Sequence, residues 1–224
     1  MTQPDSPLSW GSDPVDKSIS VAMLSDSCDR AGIRHQVLRS RLVPLVPTTR
    51  LSGRARTAQF VLDENVDPEH PYDDAIDFVD GANPGDLVVI ATDESDASAF
   101  WGELFSAAAQ GRKAVGMVTD GSIRDSDKIA ALGFPVFSRS RLPLDFRGRM
   151  KLAAGQVRVV LGGVEIHPGD LIVADDDGIV VIPQAQEAQI VAFARQRASG
   201  ESTVLEELLG GSTLRDVWTK HGIL

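Results

Sequence analysis

A chain of 224 residues, 42% hydrophobic and 24% charged, has the composition of a folded protein and the length to bury a sizeable core. Its 32 acidic residues against 22 basic ones leave a net charge of −10, the wrong sign for counterion release, so neither DNA nor RNA is expected as a partner. A single cysteine, Cys28, excludes a disulfide framework and a cysteine-based zinc site.

Residues 1–17 are polar and Pro-rich without periodicity and read as a flexible arm. They show neither a signal peptide nor an anchor, and no apolar run reaches membrane-spanning length. No membrane partner and a cytoplasmic setting are therefore expected. From residue 18 to 224 the chain reads as one domain. "SISVAMLSDSCDRAG" places Val21, Leu24, Cys28 and Ala31 on one helical face, closed by Gly32. "RLSGRARTAQFVLDE" reads as extended, with Gly53 marking a bulge or a close backbone approach. "YDDAIDFVDGANPGD" predicts a helix patterned by Ile76 and Val79 and stopped by Gly81 and Pro84.

Residues 87–92, "LVVIAT", form a short continuous apolar run, as in a strand buried on both faces. "FWGELFSAAAQGRK" predicts a helix with Leu104, Ala107 and Ala108 inward. "AVGMVTDG" is a second buried strand, "RDSDKIAAL" a helix ending at Gly133, and "FPVFS" a third strand. Strand and helix alternate here, so a parallel sheet with crossover helices is expected. Beyond it, "GQVRVVLGGVEIHPGDLIVADDDGIVVIP" carries Gly-Gly, Pro-Gly and Asp-Gly turns and predicts antiparallel hairpins. Helices over 184–198, 203–209 and 213–221 finish the chain.

The informative spacing is Glu103 and Arg124-Asp125, separated by 20 residues. Each end follows a buried strand and opens a helix, so both are expected at the C-terminal edge of the sheet, where open α/β folds bind ligands. The first turn after Gly102 offers unpaired amides around Leu104 and Phe105, and glycine leaves room for an anion. Arg124 adds a bidentate donor, and Asp125 a hard oxygen suited to Mg²⁺ or Mn²⁺. The plainer alternative is two helix N-termini carrying carboxylates that complement the helix dipole, with Arg124 bridging to Glu103 as a structural pair.

The segment "FWGELFSAAAQGRKAVGMVTDGSIRD" resembles the signature of the family of 4-hydroxy-4-methyl-2-oxoglutarate and 4-carboxy-4-hydroxy-2-oxoadipate aldolases and the regulator of ribonuclease activity A. "SDSCDRAG", "LSGRARTAQF", "NPGDLVVIA", "PGDLIVADDDGIVVIP" and "GSTLRDVWTKHGIL" are similar to other parts of that family, so the likeness runs over about residues 18–224. It implies an α/β fold of the swivelling-domain type, an αββα sandwich of mixed sheets with flanking helices, assembled as a homotrimer or hexamer with sites at subunit interfaces. It further implies a class II lyase that releases pyruvate from a small oxo acid through an enolate, with oxaloacetate decarboxylation at the same site. Asp125 would hold the divalent cation, and Arg124 would contact substrate and enolate. The amides of Glu103, Leu104 and Phe105 after Gly102 would receive the pyruvyl carboxylate. Glu103 would orient, with Arg124, a water acting as base. It stands where the family often has the shorter Asp; Asp127 would serve as the acid that often follows the Arg-Asp pair, while Lys128 stands where a further carboxylate would fit. Regulation of a ribonuclease without catalysis is the other activity the resemblance carries, as is cleavage of a different oxo acid.

Other features carry less. "ADDDG" (174–178) reads as a hairpin turn, and His35, His70, His167 and His221 lack metal-ligand spacing. Ser122 and Ser126 have no histidine in the nearby sequence to activate them. "LGGVEIHPG" lacks the dinucleotide fingerprint. The basic run 138–151 reads as a loop or subunit contact, or as a rim that attracts anions.

Overall fold

The structure is a computed structural model and describes residues 15–65, 67 and 69–223. Residues 1–14 of the expected arm lie outside that range. Val15, from its last part, is not arm-like. It is fully buried in a core with Ile19 and Leu24.

The first half of the chain runs α1 (Val21–Arg30), β1 (Val43–Pro44), β2 (Leu51–Leu62), α2 (Asp73–Asp80), β3 (Asp86–Ala91) and β4 (Ala99–Trp101). Then come α3 (Glu103–Gly111), β5 (Gly116–Ile123), α4 (Ser126–Leu132), β6 (Val136–Arg141) and β7 (Met150–Gly155). Two hairpins follow, β8 (Val159–Leu161) with β9 (Val164–Ile166), and β10 (Leu171–Asp175) with β11 (Gly178–Ile182). Helices α5 (Glu187–Leu209) and α6 (Leu214–His221) end the chain.

One mixed sheet runs in the order β1-β6-β5-β3-β2-β10-β11, with β4 added beside β5 and β7 beside β2. Strands β2, β3, β5 and β6 are parallel, as the alternation of strand and helix predicts, and α2, α3 and α4 are the crossovers. The β10–β11 hairpin joins the same sheet antiparallel to β2.

Side-chain alternation divides the interior into three layers. In β3, Val88 and Ile90 face α2, α3 and α4, while Leu87, Val89 and Ala91 face the opposite way. In β10, Ile172 and Ala174 share that inner layer, while Leu171 and Val173 pack against α1 and α5. Helices, two layers of strands and helices again make an αββα sandwich whose middle layers come mostly from one curving sheet. Gly53 marks a close approach: a Cβ there would lie 2.5 Å from Val115 Cγ2 and 2.9 Å from Gly85 O.

Three expectations are corrected. Phe100 and Trp101 belong to β4, so α3 starts only at Glu103. Its phase is set by the buried bond from Trp101 Nε1 to Ser106 Oγ (2.8 Å), which turns Ser106 and Ala109 inward. Leu104, Ala107 and Ala108 are therefore exposed rather than inward. In α2, Ala75, Phe78 and Val79 are buried and Ile76 is not. The helices expected over 184–198 and 203–209 are one, α5, which continues through Gly200. That glycine admits the C-terminal segment instead of breaking the helix, because a Cβ would lie 2.5 Å from Ile223 Cδ1.

The basic run 138–151 is only partly loop, since β6 and β7 take up its ends. Residues 174–178 form the expected hairpin turn, with Asp175 paired to Gly178. Among the described residues, no helix is long and apolar enough to cross a membrane.

Candidate active site

The parallel strands aim their C-terminal ends at one rim, and β5 ends there beside β4. The Arg124 amide donates to Trp101 O (2.9 Å), which stitches the end of β5 to the residue preceding Gly102. Asp125 then adopts a left-handed conformation (φ 56°, ψ 35°), rare for a residue with a side chain. It occupies the N-cap position of α4 but makes no capping bond with its side chain. Instead its Oδ2 turns toward the start of α3, 3.4 Å from the Glu103 amide.

Gly102 lies between these groups. A Cβ there would sit 2.7 Å from Asp125 Oδ2, 3.2 Å from Arg124 Cγ and 3.4 Å from Arg124 Nε. Bare backbone at this position lets the carboxylate, the guanidinium and the first turn of α3 converge. The Ser106 amide already donates to Gly102 O, whereas the amides of Leu104 and Phe105 precede that first intrahelical bond and have no acceptor within the helix.

Arg124 is held from two sides. Its Nε lies 3.9 Å from Asp125 Oδ2 and its Nη1 3.3 Å from Asp145 Oδ1. The other Asp145 oxygen accepts from the Tyr72 hydroxyl. Burial, and then this bond, raise the Tyr72 phenol above its ordinary pKa, so it remains a donor. Tyr72 packs edge-on against Phe146, with centroids 5.1 Å apart. Tyr72 and Asp145 escaped the sequence reading. The only hint was that Asp145 is the lone acid in the basic run 138–151.

Glu103 behaves differently from its neighbours. Its carboxylate pairs with Lys128 Nζ at 3.0 Å and is not on the cavity wall, so the structural bridge from Arg124 to Glu103 does not form. The unexpected Lys128 is therefore the partner of the unexpected Glu103. Asp127 is exposed in the first turn of α4. Ser122 Oγ bonds Ser140 Oγ (2.7 Å), which supplies no base for a nucleophile.

A cavity of about 380 Å³ opens from Gly102, Arg124 and Asp125 and runs between α2 and α3. Near the rim, buried Asp120 accepts bonds from the Thr92 amide and hydroxyl and the Glu94 amide. Burial raises its pKa, and those bonds oppose the rise. This carboxyl fixes the turn at Asp93 and Glu94, both at positive φ, and serves the scaffold.

No group of three or more His, Cys, Asp or Glu side chains suited to a metal occurs among the described residues. Asp125 offers a single carboxylate beside open space and backbone amides. Such a donor set fits a hard cation that keeps most of its waters, and does not fit a cation caged by protein ligands.

A family profile described as RraA-like (Aldolase/RraA) matches residues 21–181. A protein of Halalkalibacterium halodurans, provisionally named a 4-hydroxy-4-methyl-2-oxoglutarate aldolase, is 32% identical over 187 residues, 83% of this chain and 82% of its own. The crystal structure of an uncharacterised protein from Pseudomonas syringae superimposes with a TM-score of 0.77 at 31% identity, covering 91% of this chain and 98% of that one. RraAS2 of Streptomyces coelicolor, described as an unusual member of the RNase ES inhibitor RraA family, gives 0.73 at 27% identity, covering 86% and 97%. By fold and by sequence this chain belongs to the RraA-like family.

Proposed function

We propose that the rim at Gly102, Arg124 and Asp125 is the active site of a carbon–carbon lyase that releases pyruvate from a 2-oxo acid. The carrying observation is the convergence at Gly102, where a Cβ would lie 2.7 Å from the Asp125 carboxylate and 3.2 Å from Arg124 Cγ, so that a side chain would displace them. A merely structural pair of helix N-termini has no need of so close an approach of carboxylate, guanidinium and bare backbone. Similarity to a relative provisionally named an aldolase supports the same reading.

In this proposal the substrate carboxylate is received by the amides of Glu103, Leu104 and Phe105, with α3 adding its positive N-terminal field. Mg²⁺ or Mn²⁺, held by Asp125 and water, would supply Lewis acidity to the carboxylate and keto oxygens. Arg124 places a positive charge where the keto oxygen becomes an enolate oxygen, and Asp145 with Tyr72 keeps that guanidinium in place. A water beside Arg124 removes the proton of the C4 hydroxyl, and Glu103 would help to orient it only by leaving Lys128. The C3–C4 bond then breaks, its electron pair forming the enolate, and a proton delivered to C3 yields pyruvate. The former C4 leaves as a carbonyl compound. In oxaloacetate the corresponding bond releases CO₂ and gives the same enolate. A trimer or pair of trimers, with a neighbouring chain approaching the rim, and a cytoplasmic location complete the proposal.

The test is pyruvate release from oxaloacetate and from 4-hydroxy-4-methyl-2-oxoglutarate, with Mg²⁺ or Mn²⁺ and with EDTA. Metal-dependent pyruvate is expected from at least oxaloacetate. No pyruvate from either would favour the second reading, a regulator that binds a ribonuclease, which the likeness to RraAS2 supports.

A further inference from the structure

We infer that Lys128 is a positioning residue that competes with a cation at Asp125 for the Glu103 carboxylate, an inference that rests on the lyase reading above. Glu103 opens α3 and Lys128 lies in the first turn of α4. The two side chains meet between these helices, with Lys128 Nζ 3.0 Å from Glu103 Oε2. The backbones of the same two residues are tied to Asp125. The Glu103 amide lies 3.4 Å from Asp125 Oδ2, and the Lys128 amide donates to Asp125 O (3.0 Å). Both partners of the ion pair are thus anchored to the residue that would hold the cation.

Helix electrostatics does not account for a lysine here. The N-terminal end of a helix is positive and favours an acid such as Asp127, one position earlier. Charge nearby holds Lys128 instead. The bond to Glu103, and after it the field of Asp125, keep its ammonium above the usual lysine range. That field acts in both directions, so a cation at Asp125 meets the positive charge of Lys128. Glu103, whose charge would otherwise attract the cation, is already neutralised by the same ammonium.

A glutamate rooted so close to Asp125 has two uses for its carboxylate. It can bond Lys128, or it can turn to the waters that a hard cation keeps around itself. One carboxylate oxygen cannot serve both at once. Cation binding therefore works against the Glu103–Lys128 pair, and its apparent affinity is lowered by the factor needed to break that pair. The Lys128 charge acts chiefly through Glu103, which is what separates a positioning residue from a charge that merely repels.

The experiment titrates the full chain with Mn²⁺ and no substrate, reading free Mn²⁺ by electron paramagnetic resonance. Wild type is compared with Lys128→Met, Glu103→Gln and the double variant, each as it assembles in solution. Lys128→Met is expected to bind Mn²⁺ about tenfold more tightly than wild type, in the lower part of the range usual for coupled binding. With Glu103→Gln already present, the same substitution is expected to change affinity less than about threefold, the share left to direct repulsion. The ratio of the two factors is the coupling through Glu103, which a merely structural lysine would not give. Lys128→Gln repeats the comparison should the methionine variant fail to fold. Unchanged affinity in the Lys128 variants, or an equal gain with and without Glu103, would overturn the inference, as would a neighbouring chain that takes either partner and abolishes the coupling. Tighter binding that persists when Asp125→Ala is added would overturn it too, since the ion would then lie elsewhere. Metal-dependent pyruvate release from oxaloacetate by the wild type is read separately, so the lyase stands or falls without Lys128. Mn²⁺ bound by none of these proteins would overturn both.

Discussion

Two acidic turns in this molecule look alike in sequence and differ in what their carboxylates do. The first is Asp175-Asp176-Asp177, between β10 and β11. Asp175 Oδ2 accepts from the Val21 amide (2.9 Å) and Oδ1 from the Asp177 amide (3.0 Å), while Asp176 accepts from the Thr48 amide (3.0 Å). Those oxygens are occupied by backbone donors and tie the hairpin to the start of α1. The second turn follows β5, where Asp125 sits at the N-cap of α4, caps nothing with its side chain, and makes a long 3.4 Å contact to the Glu103 amide and a 3.9 Å one to Arg124 Nε. The difference teaches that an acidic residue at a turn is structural when neighbouring amides use up its oxygens. It becomes available for chemistry when the backbone twists it away from them.

Substitutions at the two turns should separate activity from stability. Asp125→Ala and Arg124→Ala are expected to lower turnover by about 10²–10³-fold or more, the scale of losing a group that stabilises developing charge, with little change in Tm. Asp175→Ala should instead cost about 1 kcal/mol, the scale of a lost capping bond, and lower Tm by roughly 2–4 °C with turnover retained. Equal effects of both kinds at either turn would break the contrast. Steady-state kinetics beside thermal unfolding reads both.

Gly102→Ala sharpens it further, because the new Cβ would meet Asp125 Oδ2 at 2.7 Å and displace the carboxylate without removing it. A loss of about 10²-fold in kcat/KM is expected, comparable to misplacing a reacting group by about an ångström. Tyr72→Phe removes only the hydrogen bond that holds Asp145 and, through it, Arg124. About a tenfold drop, mainly in kcat, is expected, with Tm changing by only a few degrees, and an unchanged kcat would show that Arg124 is positioned without Tyr72. Glu103→Gln is the mildest of the series. Its carboxylate pairs with Lys128 away from the cavity wall, so kcat should fall several-fold and more than KM rises.

The sheet was legible in the sequence because β3 is a continuous apolar run and β5 opens on one, and the final hairpin because an Asp-Gly pair separates two more. The neighbourhood of Gly102, Glu103, Arg124 and Asp125 was legible too, since both segments end on the same rim of a parallel sheet. What was not legible depends on contacts distant in sequence. The phase of α3 hangs on where the short strand at Phe100 and Trp101 stops, which periodicity alone reads as more helix. Gly200 looks like a helix break and is a seat for Ile223. Asp145 and Tyr72 join the site from segments 73 residues apart, and only the fold brings them to Arg124. The left-handed Asp125 is likewise invisible, because nothing in an Arg-Asp pair announces its backbone angles.

The most direct test of the central claim is calorimetric titration of the protein with oxalate, a planar dianion shaped like the pyruvate enolate, with Mg²⁺ and with EDTA. Binding with Mg²⁺ that disappears in EDTA, and is lost in Asp125→Ala and Gly102→Ala, is the predicted result. Oxalate binding that ignores both Mg²⁺ and Asp125, or no binding to the folded wild type under either condition, would contradict it.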